Sequence, residues 1–430
     1  MKLWQKDFNI DQKISDFTIG EDNILDLQLA KYDVQGTMAH IRMLASIGLL
    51  EKEELASLLE ALEKIAVRIE DGRFQIAAGV EDIHSQIEFE LTERLGDLGK
   101  KIHAARSRND QVLLDLRLFY KASIQDIKDL VLELFELLQS KSEQYKAVLM
   151  PGYTHTQIAM VSSFGLWFGA FAESLVDDLR MLLAAYDSIN QNPLGSAAGY
   201  GSSFPINRKM TTELLGFKDL AYNSIYAQMG RGKSELFLSY GMQAIAGTLG
   251  QLANDVCTFN SQNFDFFKLP KAFTTGSSIM PHKTNPDVFE LIRAKCNLLQ
   301  SLPAQVNALS TNLISGYHRD YQLLKAVVFP AIQNLKDCLL MAKYVLAEIE
   351  VNDQILEDKK YQYLYTVEAV NRLVLEGEAF RTAYQKIGAA VEAGEFTYDQ
   401  PIHHTHEGSL GNLCNEAVKA KMDAVVQQFE

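Results

Sequence analysis

One polar stretch of the sequence, residues 274–290 (TTGSSIMPHKTNPDVFE), combines hydroxyl, cationic and amide side chains within a short distance. Ser277 and Ser278 follow a glycine, in a segment mobile enough to close over a small molecule. Lys283 and Asn285 stand near two prolines, just before an apolar helical pattern. A positive charge and amide donors suit an anion whose charge grows during a reaction. The stretch is therefore the first candidate for a catalytic site.

A second polar stretch, residues 103–111 (HAARSRNDQ), directly precedes the longest helical pattern of the chain. Asn109 or Asp110 is predicted to cap that helix. Arg106 and Arg108 beside a helix N-terminus provide a place for a carboxylate or phosphate. A solvated charged turn is the alternative interpretation.

Residues 150–157 (MPGYTHTQ) contain a Pro-Gly turn followed by Thr154 and His155, which we expect at the start of the next helix. A histidine there is a plausible proton-transfer group at neutral pH. A structural histidine is the alternative.

Residues 315–325 (SGYHRDYQLLK) bring several polar donors into one short segment between helical patterns. By itself such a run is typical of a solvated face. Its donor side chains are Tyr317, His318, Arg319, Gln322 and Lys325.

Composition excludes several classes of function. The 430 residues carry 41 Lys and Arg against 55 Asp and Glu, a formal charge of −14, which argues against binding a nucleic-acid backbone. No apolar run reaches the length of a membrane span, and the N-terminus lacks the apolar centre of a secretory signal. We therefore expect a cytoplasmic protein without nucleic-acid or membrane partners. The four cysteines match no metal-binding spacing and are expected to be free thiols.

The elements that must position these side chains are predicted to be long helices. The first proline is Pro151, and in residues 100–150 apolar residues recur every three or four positions. A helix of about 35 residues would be about 50 Å long. The same helical periodicity of apolar residues recurs in residues 158–190, 233–263 and 286–314. No alternation typical of a strand is long enough to build a sheet. The fold class is therefore all-α, with a long central helical bundle.

The predicted domains are an N-terminal helical domain (1–105), a central long-helix domain (106–345) and a small C-terminal helical domain (346–430). Helices this long bury their apolar stripes only against several partners. Some of those partners are expected to belong to other copies of the chain, so we expect a homo-oligomer.

The stretch around Ser277 resembles the signature of the fumarate lyase (aspartase/fumarase) superfamily, GSSxMPxKxNPxxxE. It matches at Gly276, Ser277, Ser278, Met280, Pro281, Lys283, Asn285, Pro286 and Glu290. The segments RSRNDQ, MPGYTHTQ, YHRDYQLLK, YDVQGTMAHIRML and EDIHSQIE are similar to those of the argininosuccinate lyase family. The resemblance runs in collinear order from about residue 20 to 330.

This resemblance implies a three-domain, mostly helical fold whose long helices form a twenty-helix core in a homotetramer. Each active site would be built from three subunits. The implied reaction is the cleavage of argininosuccinate to arginine and fumarate, a step of arginine biosynthesis, without a metal or organic cofactor.

The resemblance also assigns roles to residues. Ser277 is the base, Lys283 supplies the cation, and His155, oriented by Glu290, matches the residue linked to the acid step. The substrate-binding positions are Arg108, Asn109, Thr154, Asn285, Tyr317, Gln322, Lys325, Asp26, Arg231 and Ser278. A serine hydroxyl needs desolvation and a nearby cation to act as a base.

Several positions depart from the family pattern. The N-terminal WGGRF reads WQKDF at residues 4–8, and the threonine and glycine expected after His103 are Ala104 and Ala105. Asp22 stands where the family has a serine near the amino-acid end. His282 replaces a common glutamine, and Arg231 is flanked by glycines instead of acidic residues. An N-acylated argininosuccinate is therefore a second expected substrate.

Two other functions stay open from the sequence. One is a different fumarate-releasing lyase, of the adenylosuccinate lyase or aspartase type. The other is a catalytically silent, crystallin-like helical scaffold, which would have no need of Ser277 or His155. The histidines of HHTHEGS, at 403, 404 and 406, lack evident carboxylate partners, so no metal site is expected there.

Overall fold

The computed structural model describes residues 11–77, 79–402 and 404–429. It is 66% helical, so the prediction of a mostly helical protein is confirmed. The described residues contain the α-helices α1 (Gln12–Ile19), α2 (Asp22–Leu25), α3 (Ala30–Ser46), α4 (Lys52–Glu70), α5 (Ile83–Leu95), α6 (Asp97–Lys100), α7 (Arg108–Gln144), α8 (Phe164–Ile189), α9 (Arg208–Leu214), α10 (Ser224–Met229), α11 (Lys233–Phe259), α12 (Asp287–Leu299), α13 (Leu302–Ser310), α14 (Leu323–Ala347), α15 (Thr366–Leu375), α16 (Phe380–Glu392) and α17 (Asn415–Val426).

Short strands connect some of these helices, in four separate pairs. The strands are β1 (Leu149–Thr154), β2 (Gln157–Ser163), β3 (Gln191–Asn192), β4 (Asp219–Leu220), β5 (Phe267–Lys268), β6 (Thr275–Gly276), β7 (Thr284–Asn285) and β8 (Glu350–Val351). The partners are β1 with β2, β3 with β4, β5 with β8 and β6 with β7; only β3–β4 is parallel.

The β1–β2 hairpin corrects one prediction. Thr154 and His155 do not begin a helix; they lie at the end of β1 and in the turn that follows it. α8 begins only at Phe164, because the Ser163 hydroxyl accepts the Leu166 amide and caps the helix there. The first residues of the predicted segment 158–190 are therefore a strand.

The longest helix, α7, has 37 residues and confirms the predicted long helix. Its apolar stripe is fully buried, at Leu113, Leu116, Tyr120, Ile124, Ile127, Val131, Leu134 and Leu138. The prediction that Asn109 or Asp110 caps the helix is wrong, because the cap is Ser107. The Ser107 hydroxyl accepts the Asn109 amide, and the Asp110 carboxylate accepts the Ser107 amide. Asp110 thus closes the turn before the helix.

The helices predicted over residues 233–263 and 286–314 are shorter than the apolar patterns that predicted them. α11 stops at Phe259, and the pattern over 286–314 is divided into α12 and α13. The division is explained by Pro303 in the first turn of α13, since proline has no amide proton to continue the ladder from α12.

The chain forms two compact units. The first contains the described parts of Met1–Asp126 with Met181–Gln243 and Ser301–Asn334. One of its apolar cores packs α3, α4 and α5 through residues such as Ile41, Leu58 and Ile87. The prediction of three domains, with boundaries near 105 and 345, stays a prediction.

The second unit contains the described parts of Ile127–Arg180, Ala244–Gln300 and Leu335–Glu430. An aromatic cluster around Trp167 lies in it: the Trp167 ring centroid is 4.9 Å from that of Phe168 and 5.0 Å from that of Phe267. Such edge-to-face and tilted pairs add to the free energy of apolar burial. Among the described helices, none is long and apolar enough to cross a bilayer.

Candidate active site

The first unit contains a cavity of about 230 Å³ that collects half of the predicted site residues. It lies where the N-terminal end of α7 meets α5, the segment around α2 and the polar residues before α14. Its lining residues are Asp22, Asp26, Glu81, Asp82, His84, Arg108, Asn109, Val112, Arg231, Tyr317, Arg319, Gln322 and Lys325. We call it the amino-terminal pocket.

Lys325 is a buried cation of the amino-terminal pocket, with a side chain only 4% exposed. Its Nζ lies 2.6 Å from Asp26 Oδ1 and 2.7 Å from Asp22 Oδ1. Burial, opposed by Lys325 and assisted by Asp26, raises the pKa of Asp22 to about 6. The family serine is therefore replaced here by a titratable group that pairs with Lys325.

Arg108 is oriented by residues at the start of α5. Its Nη1 lies 3.0 Å from Asp82 Oδ2 and 3.4 Å from Glu81 Oε2, and Nη2 donates to Ser85 Oγ at 2.6 Å. Asp82 is itself the cap of α5, because its carboxylate accepts the Ser85 amide at 2.8 Å. The same residues that begin α5 thus hold Arg108, a predicted substrate-binding residue, in place.

Two further pocket residues are anchored through backbone carbonyls. Arg231 donates from Nη2 to the Tyr321 carbonyl at 2.8 Å, while its buried Nη1 has no hydrogen-bond partner among the described residues. Gln322 donates to the carbonyls of Thr18 and Ile19 at 3.0 and 2.9 Å. Arg231 therefore retains a donor for a ligand, whereas the Gln322 amide is committed to the segment before α2.

The catalytic candidates lie in the second unit. Ser277 follows β6, and its Oγ accepts the amides of Met280 at 3.1 Å and Ile279 at 3.3 Å. Two amide donors on one hydroxyl oxygen favour its deprotonated form, which is what a serine base requires. The arrangement is a short turn between β6 and β7.

Lys283, Asn285 and Glu290 line one cavity of about 680 Å³ in the second unit, together with His282 and Arg293. Asn285 is held by its β7 pairing with Thr275, and its amide donates to the Thr275 hydroxyl at 3.4 Å. Ser277 and Ser278 lie in the loop beside this cavity but are not among its lining residues. The cavity offers cations and an amide donor to an anionic ligand.

Thr154 and His155 are exposed, at the tip of the β1–β2 hairpin. His155 and Thr156 have φ angles of 52° and 61°, so both central residues of this two-residue turn adopt the left-handed conformation. Within the described residues of one chain, no hydrogen bond or ion pair joins His155 to Glu290. The orienting contact predicted between them stays a prediction.

Four residues that line the amino-terminal pocket were not predicted as binding or catalytic residues. Glu81, Asp82, His84 and Arg319 all line the amino-terminal pocket. The signal was present, since EDIHSQIE and YHRDYQLLK were both part of the family resemblance. Their roles were missed because only the packing of α5 against α7 brings these side chains to Arg108.

The departures from the family pattern have partial structural accounts. Ala105 has a φ angle of 60°, the left-handed conformation that a glycine adopts without strain and that fits the glycine expected at this position. His404 belongs to the HHTHEGS segment, where no metal site is expected. Both nitrogens of its ring are engaged within the protein, one with Ser409 Oγ at 2.7 Å and the other with Glu368 Oε1 at 3.1 Å. Residues 4–8 and His403 lie outside the described residues.

Comparison with known proteins decides the family. A family model described as "Lyase" matches residues 11–300. An argininosuccinate lyase from Bacteroides thetaiotaomicron is 61% identical over 428 residues, which cover 100% of this chain and 96% of the relative. One from Thermotoga neapolitana is 42% identical over 386 residues, 90% of this chain and 97% of the relative. The chain belongs to the argininosuccinate lyase family. Membership makes it a carbon–nitrogen lyase and confirms the resemblance inferred from the sequence motifs.

Solved structures bear out the fold of this argininosuccinate lyase family member. A class II fumarase from Schistosoma mansoni superposes with a TM-score of 0.75 at 16% identity, over 98% of this chain and 96% of that one. A fumarate lyase:delta crystallin from Brucella melitensis gives 0.73 at 17% identity, over 99% and 94%. At these identities the likeness concerns the fold alone, which is the predicted helical fumarate lyase fold.

Proposed function

We propose that this chain cleaves the C–N bond of argininosuccinate to release arginine and fumarate. The observation that carries the proposal is the amino-terminal pocket, in which Arg108, Asn109, Tyr317 and Lys325 line one polar cavity. A substrate with several carboxylates and a free amino-acid end needs such a mixture of cations and carboxylates. The argininosuccinate lyases at up to 61% identity support the same substrate.

The proposed chemistry is a base-catalysed elimination. Ser277, as an alkoxide held by two backbone amides, removes a proton from the succinyl carbon next to a carboxylate. Lys283 and Asn285 stabilise the resulting aci-carboxylate. The C–N bond then breaks, its electron pair passes to the guanidino nitrogen, and His155 delivers the proton that this nitrogen takes up.

The proposal includes a homotetramer with active sites shared between subunits. The binding group belongs to one compact unit of the chain and the elimination group to the other. Exposed Thr154 and His155 at a hairpin tip are suited to completing the site of another subunit. We further propose that the enzyme acts in arginine biosynthesis in the cytoplasm and uses no cofactor.

A second candidate substrate is an N-acylated argininosuccinate. The observation behind it is Asp22, which replaces the family serine and lies on Lys325 in the amino-terminal pocket. The substitution changes the charge of the surface that would meet the amino-acid end. Values of kcat/KM for the plain and the N-acylated substrates decide between them, and a clear preference for the plain compound removes this candidate.

The test of the main proposal is release of fumarate from purified protein, followed by its ultraviolet absorbance. Argininosuccinate should be turned over far faster than adenylosuccinate or aspartate. A preference for either of those compounds would assign a different fumarate-releasing lyase activity. No turnover of any of them by folded wild-type tetramer would favour the silent scaffold instead.

A further inference from the structure

A buried cluster of three titratable side chains lies behind the amino-terminal pocket. Asp33 of α3 and Asp115 of α7 have side chains with 0% exposure, and His84 of α5 is 6% exposed. His84 Nδ1 is hydrogen-bonded to Asp33 Oδ2 and lies 3.5 Å from Asp115 Oδ2. Gln111 donates to the same Asp33 oxygen at 2.8 Å. None of these contacts belongs to the elimination chemistry proposed above.

The charges around His84 keep its ring protonated. Burial disfavours the imidazolium, but the carboxylates of Asp33, Asp82 and Asp26 outweigh it and raise the pKa of His84. Burial and the adjacent Asp33 raise the pKa of Asp115 well above its ordinary value, which favours its neutral form. Burial disfavours the Asp33 carboxylate, but His84, assisted by Arg106, outweighs it and lowers the pKa of that carboxyl group.

A protonated His84 has two N–H donors, and only one of them is used inside the protein. Nδ1 faces Asp33, whereas His84 also lines the amino-terminal pocket, and Nε2 has no hydrogen-bond partner among residues 11–77, 79–402 and 404–429. The other pocket cations are each paired with a carboxylate: Lys325 with Asp22 and Asp26, Arg108 with Glu81 and Asp82, and Arg319 with Glu81. Arg231 is paired with Glu235 through Nε, and its Nη1 also has no partner among the described residues. His84 is thus a pocket cation with an uncommitted donor.

We propose that His84 is a substrate-binding residue, whose Nε2 donates to a carboxylate of the substrate while Asp33 acts as its positioning residue. This inference rests on the proposed lyase function, because it assumes an anionic substrate in the amino-terminal pocket. The hydrogen bond from Nδ1 to Asp33 sets the orientation of the ring. It thereby aims a positive donor at a ligand without a rearrangement of the pocket.

Two substitutions of His84 separate substrate binding from a structural role. In His84→Asn the side-chain amide takes the place of Nδ1, and no donor remains at the position of Nε2. In His84→Gln the amide takes the place of Nε2, and no donor remains at the position of Nδ1. The proposal predicts that His84→Asn raises KM by about tenfold or more, with a smaller change in kcat, since a hydrogen bond to a charged group is lost. His84→Gln should raise KM less. A merely structural histidine predicts the opposite order.

His103→Asn is the matched control, because His103 faces Glu88 at 3.5 Å in the same unit but does not line the pocket. It should leave KM unchanged. Unchanged KM in His84→Asn, or a larger rise in His84→Gln than in His84→Asn, would overturn the proposal. If wild-type protein releases no fumarate, the proposed function itself has failed, which is a distinguishable result.

Binding of the two products identifies which carboxylate is involved. In His84→Asn the inhibition constant of either arginine or fumarate should rise, and a rise for neither contradicts the proposal. A measurement on wild-type protein covers the case in which a variant does not fold. Deuterium exchange at the imidazole C–H of His84, read by mass spectrometry, should slow when the pocket is saturated with the product that His84 binds. Exchange that is unaffected by both products also contradicts the proposal.

Discussion

The Oδ1 atom of Asp22 lies 2.7 Å from Nζ of Lys325, an ammonium that Asp26 also contacts at 2.6 Å. Two carboxylates therefore share one buried cation at the amino-terminal pocket. When all three groups are charged, their net charge is negative. A proton on Asp22 makes the net charge of the three groups zero. The raised pKa of Asp22, at about 6, follows from this burial and from the neighbouring Asp26.

Asp22→Asn should change how stability depends on pH. The ordinary pKa of an aspartate, 3.8, applies to the unfolded chain, and the folded value is about 6. Between these values only the folded protein holds the proton, so the contribution of Asp22 to stability falls as the pH rises through this window. Asparagine cannot ionise, so the variant should gain about 1–3 kcal/mol relative to wild type between pH 4 and 7.

Unfolding in urea at pH 4 and at pH 7 measures the difference in free energy of unfolding between Asp22→Asn and wild type. Asp129→Asn is the control, because the side chain of Asp129 is 62% exposed. Its difference from wild type should stay constant with pH. An Asp22→Asn difference that also stays constant would show that Asp22 is not protonated in the folded protein in this range.

Lys325→Met should destabilise the protein strongly, by about 3–5 kcal/mol, because it leaves two buried carboxylates without their cation. Adding Asp26→Asn to Lys325→Met should restore part of that loss. A double-mutant cycle of the free energies of unfolding measures the coupling. Purely additive effects would contradict an energetically important Lys325–Asp26 pair.

Ser277→Ala should lower kcat by about 100- to 10,000-fold, because it removes the base of the elimination. The melting temperature should hardly change, since the hydroxyl oxygen accepts only two amides of an exposed turn. Ser188→Ala is the matched control: Ser188 is half-buried, and among the described residues its hydroxyl donates only to the Ala184 carbonyl. A kcat within about threefold of wild type would exclude Ser277 as the base.

Two glycine substitutions should have opposite effects on stability. A Cβ on Gly165, at the start of α8, would lie 2.5 Å from the backbone of Ser142 and Lys146, so Gly165→Ala should cost several kcal/mol, on the order of an overpacked core. Gly388, within α16, has no atom within 4 Å of such a Cβ. Gly388→Ala should therefore stabilise by about 1 kcal/mol. Melting temperatures of both variants test the pair, and equal shifts would contradict it.

Helical periodicity predicted α7 well because its apolar residues recur on one face for the whole length of a helix without glycine or proline. The same criterion failed at the β1–β2 hairpin. There the alternation of a short strand runs directly into the apolar beginning of α8, and the join at Ser163 carries only a hydroxyl cap as its signal. The turn residues, His155 and Thr156, are not the glycines or asparagines that usually mark such a turn.

The helical class, the candidate catalytic segment from Gly276 to Glu290 and the family could be predicted from the sequence, because these depend on local spacing and on residues that are neighbours in the chain. Which charges face one another depends instead on how the helices pack. Asp26 and Lys325 are 299 positions apart, and Asp33 and His84 are 51 apart. Their pairing and their protonation depend on burial and on opposing charges from other helices, and packing alone sets both.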